Sequence, residues 1–215
     1  AISRNTLEVI AFLVESWPES LRVHRGGLTP LNRSIECTRP PEIIQYLVQQ
    51  NPWLIQMPHV HSKRLPLHQA VEHHKAREMV PVLLELCPEA TRVKDTNGSL
   101  PLHLAVTSST ISVSLLEKLI EAWPESLKQS DILGNLPLHV AVGGQSAMMP
   151  RLSLIKLLVD AYPEALNVPD RGGMVPFALF HHNVGFGRNF ARYARAHEII
   201  AELVDRERPF HFVCR

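Results

Sequence analysis

The sequence lacks most features of secreted, membrane and redox proteins. Its 215 residues include only three cysteines, an odd number, and none has the Cys-x-x-Cys spacing of zinc or redox sites. No apolar run approaches the roughly 20 residues that a membrane-spanning helix needs, and no charged-then-apolar segment resembles a signal peptide. We therefore expect an intracellular, cytoplasmic protein that has no membrane partner.

An excess of charge of one sign is also missing. The chain has 22 basic and 21 acidic side chains, which gives a formal net charge of +1. Such a balance provides no overall field to attract nucleic acid or an anionic surface, so a charged partner must be met by a local patch. Hydrophobic residues make up 45% of the chain, which is enough to build a buried core.

Motifs for catalysis, metal binding or cofactor binding are absent as well. No nucleophile, base and orienting group occur together at a motif spacing. The pair His59 and His61 offers two ligands, fewer than a tetrahedral metal shell needs. Arg188, Arg192 and Arg195 follow one helical face, but such a strip is typical of a solvated surface. We predict no enzymatic activity, no metal site, no cofactor and no nucleic-acid partner.

What the sequence does contain is a repeat of two phrases. The phrase Leu-Pro-Leu-His begins at Leu65, Leu100 and Leu136, and looser copies begin at Thr29 and Val175. The prolines of these five copies are 36, 35, 36 and 39 residues apart, so one unit has about 36 residues. The second phrase, a proline usually followed by Glu-Ala or Glu-Ser, has the same period and occurs at Pro18, Pro52, Pro88, Pro124 and Pro163.

Each unit predicts two helices and a turn. Apolar residues at i, i+1, i+4 and i+5 precede each second phrase and form one stripe on a helix. These five quartets begin at Val9, Ile43, Met79, Leu115 and Leu154, and a sixth begins at Ile199. The first-phrase proline starts a short helix, and the second-phrase proline ends the quartet helix. Asp and Gly at 95–98, 131–134 and 170–173 favour tight turns, here called fingers. We predict an all-α helix-turn-helix solenoid in which neighbouring units bury the stripes.

The phrase Pro-Leu-His-x-Ala and the turn before it resemble the ankyrin repeat over roughly residues 5–205. Two features differ, because Leu replaces the usual first Thr and aromatic-Pro-Glu replaces the usual Gly-Ala. We predict a single domain over 1–215, with a half repeat at 1–22, repeats at 23–57, 58–93, 94–129, 130–168 and 169–206, and a cap at 207–215. Because the chain starts on a second-helix quartet, we also expect further repeats upstream.

The resemblance implies a non-catalytic, monomeric protein–protein interaction module or scaffold, which binds its partner through the concave face of the stack. It assigns structural roles to the phrase histidines, which would bond to backbone between neighbouring turns, and to the helix-starting prolines: His68, His103, His139, Pro66, Pro101 and Pro137. An alternative is a regulatory arm of a larger enzyme, kinase or channel whose catalytic part lies outside this chain.

By the same resemblance, the partner contacts finger tips and exposed first-helix positions. These are Arg25, His61, Lys63, Gln69, Glu72, Lys94, Thr96, Leu104, Thr107, Ile132, Leu133, Val140 and Arg171. Ile132 and Leu133 are the strongest candidates, because turn chemistry alone does not require apolar residues at a finger tip. Packing of these two side chains onto the next finger is the alternative.

Overall fold

The computed structural model describes residues 2–22, 28–37, 40–143, 151–184, 198–203 and 205. These residues are mainly helical, and the described part contains no strand beyond an isolated bridge at Leu28. Arg25, the late insertion around Arg188, Arg192 and Arg195, and the predicted cap at 207–215 lie outside the described residues. The chain divides into two compact units, 1–123 and 124–215. The single domain therefore stays a prediction.

Ten α-helices with assigned bounds lie in the described residues: α1 Ile2–Ser16, α2 Pro30–Glu36, α3 Pro41–Gln50, α4 Pro66–Glu72, α5 Ala76–Leu86, α6 Pro101–Thr107, α7 Val113–Ala122, α8 Pro137–Gly143, α9 Leu152–Ala161 and α10 Pro176–Val184. Residues 198–203 are also helical. As predicted, each first helix begins on the proline of its first phrase, because the first helical turn has no use for the missing N–H.

The second phrase forms a structure that the sequence reasoning missed. Each copy folds into a short 3₁₀ helix: Pro18–Arg22, Pro52–Gln56, Pro88–Arg92, Pro124–Lys128 and Pro163–Asn167. The quartet helix ends two residues before each proline, and the proline then takes the first position of the 3₁₀ helix, where it needs no hydrogen-bond partner. The proline thus ends one helix and starts the next.

In the unit 1–123, helix pairs pack side by side. Helix α4 packs against its own second helix α5 and against the neighbouring first helices α2 and α6, while α5 packs against α3 and α7. Quartet residues such as Met79, Val80 and Leu83 are completely buried between them. Helix α1 differs, because Val9 and Leu13 of its quartet remain exposed.

In the unit 124–215, the same arrangement recurs. Helix α8 packs against its own second helix α9 and against the following first helix α10. The quartet of α9, which begins at Leu154, is buried. The 3₁₀ helix Pro163–Asn167 packs against both α9 and α10. Burial of one stripe between several helices is the source of stability that a lone helix pair lacks.

Consecutive repeats are also joined by side chains at the ends of the 3₁₀ helices. The last residue of three of them contacts the side chain just before the next second-phrase proline: Gln56 contacts Cys87, Arg92 contacts Trp123 and Lys128 contacts Tyr162. The two cations lie 5.8 and 5.9 Å from the ring centroids. Cations at this distance from an aromatic face are attracted by its quadrupole.

Candidate interaction surface

The three fingers predicted at 95–98, 131–134 and 170–173 each include one more residue, which closes the turn. Over 95–99, 131–135 and 170–174 they share one hydrogen-bond pattern. The N–H of the leading Asp donates to the carbonyl oxygen of the fifth residue at 2.9–3.0 Å. The Asp Oδ1 atom accepts the N–H of that fifth residue at 2.8–2.9 Å. The fourth residue is a glycine with φ between 70° and 83°, a conformation that other residues avoid. The Asp and Gly predicted from the sequence therefore hold each tip in a fixed shape.

The second of these fingers presents two apolar side chains to solvent. Ile132 and Leu133 are 49% and 63% exposed. The carbonyl oxygen of Leu133 accepts the N–H of Arg171 at 3.0 Å, and a Cβ on Gly134 would lie 2.5 Å from the same nitrogen. The two fingers are thus joined through their backbones, while these apolar side chains remain largely uncovered.

The finger of the second full repeat, at 59–64, is built differently. His59 takes the Asp position, and its Nδ1 atom accepts the N–H of Ser62 at 3.3 Å. The loop is one residue longer and closes by a bond from the His59 N–H to the Arg64 carbonyl at 2.8 Å. Lys63 takes the glycine position, with φ 56°. This finger also bonds to its neighbour, because the Ser62 carbonyl accepts the N–H of Thr96 at 3.0 Å.

The phrase histidines connect first helices to the fingers that follow. The Nδ1 atom of His68 accepts the N–H of Leu65 at 3.1 Å, and its Nε2 atom lies 3.3 Å from the carbonyl oxygen of Ser99. His139 has the equivalent partners, at 3.2 Å to Leu136 and 3.1 Å to the Met174 carbonyl. Because Nδ1 accepts, Nε2 must carry the proton and donate. The Nδ1 of His103 likewise accepts from Leu100 at 3.1 Å.

Burial sets the charge state of these rings. It lowers the pKa of His68 to about 4, against the opposing hydrogen bond to Ser99 and the nearby carboxylate of Asp95. Burial also lowers the pKa of His139, again opposed by its bond to Met174. Both rings are therefore neutral near pH 7, in the tautomer that their two hydrogen bonds require.

The predicted contact residues differ in exposure, and they fall in both units. Nine are exposed: His61, Lys63, Glu72, Lys94, Thr96, Thr107, Ile132, Leu133 and Arg171. Three on first helices are partly buried: Gln69, Leu104 and Val140. The Oε1 atom of Gln69 is itself buried and has no hydrogen-bond partner among the described residues. Arg25 lies outside the described residues. Their role in binding stays a prediction.

Glu72, one of the predicted contact residues, takes part in an ion network that the sequence did not indicate. Arg64 donates from Nη1 to the Glu72 carboxylate at 2.8 Å and from Nε to the Asp95 carboxylate at 3.2 Å. Asp95 is buried, whereas Glu72 is exposed. Arg64 therefore ties its own finger to helix α4 and to the next finger, 31 residues along the chain.

Sequence reasoning also missed several exposed apolar side chains. Val60, at a finger tip, is 51% exposed, and the logic applied to Ile132 would have found it. On α1, Phe12 is 68% exposed, and Trp17, just beyond the helix, is 60% exposed. Phe12 lies outside the quartet pattern, and the phrase around Trp17 was interpreted only as a helix end.

The described residues bring no three His, Cys, Asp or Glu side chains together in a way that could hold a metal ion. His59 and His61 contact each other edge to face, with ring centroids 5.8 Å apart. Within the described ranges, none of the helices combines the length and the apolar character needed to span a bilayer.

Comparison with known proteins gives one family match. Residues 67–170 match the family model described as ankyrin repeats, in three copies. This match agrees with the all-α helix-turn-helix fold class predicted from the phrases. A search of the curated proteins finds no significant match.

Proposed function

Because this chain belongs to the ankyrin repeat family through residues 67–170, we propose that it is a non-catalytic module that binds another protein through its fingers and first helices. Ankyrin repeats are generally protein–protein interaction modules. A scaffold role would follow if the bound partner is thereby held near a second protein.

One observation carries this proposal. Ile132 and Leu133 occupy the tip of a finger whose shape depends on Asp131 and Gly134, so the turn needs no apolar residue at either place. Both side chains are about half exposed or more. Exposed apolar pairs on a rigid support are the kind of group that anchors a protein partner, because binding removes them from water at little cost in ordering.

Other exposed residues extend the proposed surface within each unit. In 124–215, Arg171 follows the Ile132 finger and adds a guanidinium group. In 1–123, the tips carry Lys63 and Thr96, and the end of α6 carries Thr107. Polar groups around an apolar anchor are typical of the rim of a protein interface.

The test is quantitative affinity capture with the chain and two variants. The variant Ile132→Asp with Leu133→Asp places charges on the proposed anchor without touching the turn bonds. Leu86→Asp is the matched control, since Leu86 is an exposed apolar residue at the end of a second helix. We expect the anchor variant to lose the proteins that the wild type and the control both retain.

Circular dichroism would confirm that both variants fold. Retention of the same proteins, in the same amounts, by the folded anchor variant would contradict the proposed surface. An equal loss with Leu86→Asp would also contradict it, because the binding would then depend on a different side of the repeat.

A further inference from the structure

The finger at 59–64 reverses the charge found on the other fingers. Each of the other three contains one acidic residue that serves the turn, and only the last of them adds a basic residue, Arg171. In 59–64, His59 replaces that acid and Lys63 and Arg64 add two positive charges. The whole stretch 43–71 contains no Asp or Glu. The chain thus keeps the turn while removing every acidic group from this finger.

The backbone gives no reason for a lysine at position 63. Lys63 is the only residue other than glycine with positive φ in the described part of the chain. Gly98, Gly134 and Gly173 hold the same position elsewhere, without the steric penalty that a side chain brings to this conformation. The turn bond at this position is made by the Lys63 N–H, which a glycine would also supply. What lysine adds is an exposed ammonium group.

Two carboxylates are already paired with the arginine of this finger. Arg64 pairs with both Asp95 and Glu72, and the Asp95 side chain is almost entirely buried. The exposed groups at the tip are then Val60, His61 and Lys63. They combine one apolar side chain with a cation and present no acidic group.

We infer that the finger 59–64 binds an acidic segment of the partner protein, with the Lys63 ammonium pairing with a carboxylate and Val60 contacting a neighbouring apolar side chain. This inference rests on the proposed function. A protein segment fits better than nucleic acid, because binding to a phosphate backbone relies on several cations acting together, whereas this tip has one exposed lysine and one apolar contact. The charges of the partner and the finger would be complementary.

The test uses the whole chain and a fluorescein-labelled peptide with two glutamates on each side of a leucine. Fluorescence anisotropy at low salt measures the affinity of the wild type, Lys63→Gln and Lys63→Gly. We expect both variants to bind about fivefold more weakly, as for the loss of one exposed ion pair. Lys63→Gly should melt at a higher temperature than the wild type, so unfolding would not explain its weaker binding. Lys118→Gln, which removes an exposed lysine of α7, should bind as the wild type does.

Equal affinity of the wild type and both Lys63 variants would overturn the inference, and so would failure of the wild type to bind the peptide. Tighter binding of a single-stranded oligonucleotide than of the peptide would overturn it as well. Because the capture experiment with Ile132 and Leu133 does not depend on Lys63, these outcomes would leave the proposed function standing. Unchanged capture by the Ile132 and Leu133 variant would instead remove the proposed function.

Discussion

At the residue scale, one imidazole ring bonds to two backbone groups, the N–H before a helix-starting proline and the carbonyl oxygen that closes the next finger. In the three Leu-Pro-Leu-His repeats, the leucine before the proline has an N–H without a helical acceptor, and the phrase histidine accepts it through Nδ1. For His68 and His139, the other nitrogen lies within hydrogen-bond distance of the carbonyl that closes the next finger. Protonation would put a hydrogen on Nδ1, where it would face the backbone N–H that this nitrogen now accepts.

The buried His68 predicts a loss of stability in acid. Its pKa is about 4 in the folded chain, compared with the ordinary value of 6.5 for a histidine side chain. As the pH falls below 6.5, this histidine takes up a proton in the unfolded chain but stays neutral in the folded chain. The free energy of unfolding therefore decreases progressively from about pH 6.5 down to about pH 4. The loss from this residue should total roughly 3 kcal/mol.

Urea denaturation at pH 7 and pH 4.5 would measure this effect. Between these values the wild type should lose about 2 kcal/mol more free energy of unfolding than the variant His68→Gln, which lacks the titrating ring. Carboxylates contribute equally to both proteins. The same pH dependence in both would show that His68 does not stay neutral in the folded chain.

The first full repeat has an asparagine in place of the phrase histidine. Asn32 occupies the equivalent position, is fully buried, and leaves both polar atoms of its side chain without a partner among the described residues. The Arg64 carbonyl, which closes the next finger, accepts the His59 N–H, but within the described ranges it has no histidine donor such as those bonded to Ser99 and Met174. Asn32→His should therefore raise the free energy of unfolding by about 1–2 kcal/mol.

Chemical denaturation of Asn32→His and Asn32→Ala would test this prediction. Alanine removes the unpaired atoms but leaves a cavity, so it should not reproduce the gain. Equal or lower stability of the histidine variant would indicate that the ring cannot reach the Arg64 carbonyl from this position.

At the element scale, three of the 3₁₀ helices support the repeat after them. Their last side chains reach the residue before the next second-phrase proline, as Arg92 reaches Trp123 and Lys128 reaches Tyr162. This contact gives a physical role to the aromatic-Pro-Glu phrase, which replaces the usual ankyrin ending. Because the contacts recur with the repeat period, they add to the packing between neighbouring units.

A double-mutant cycle would measure one of these contacts. We expect Arg92→Ala and Trp123→Ala to show a coupling free energy of about 0.5–1 kcal/mol, the range for an exposed cation over an aromatic ring. The control cycle pairs Trp123→Ala with Lys118→Ala, since Lys118 is an exposed cation of the same repeat. No coupling with Arg92, or equal coupling with Lys118, would refute a specific contact.

The sequence predicted those elements whose ends depend on local chemistry. Proline alone places the start of each first helix and the end of each quartet helix, and Asp with Gly places three fingers. It did not predict the pairs Arg64–Asp95 and Gln56–Cys87, because their members are 31 residues apart and meet only when repeats stack. The sequence named Lys63 as a contact residue but did not show that it occupies the glycine position of its finger, because this loop has one extra residue.

At the scale of the whole molecule, the two units offer surfaces of different character. The fingers of 1–123 include the basic tip with Lys63, and those of 124–215 include the apolar tip with Ile132 and Leu133. The 3₁₀ helices instead pair charged residues within the chain, as Arg92 pairs with Glu89 and Lys128 pairs with Glu125. We therefore propose the finger tips, rather than the 3₁₀ helices, as the places where a partner binds.

Hydrogen exchange of the chain, free and bound to a partner isolated by affinity capture, tests this account most directly. Binding should slow exchange of the finger amides at 59–64 and 131–135 by about tenfold or more, while amides of the 3₁₀ helices Pro88–Arg92 and Pro124–Lys128 should change little. Slower exchange confined to the 3₁₀ and second helices, with the fingers unchanged, would contradict the proposal that this protein recognises its partner through its fingers.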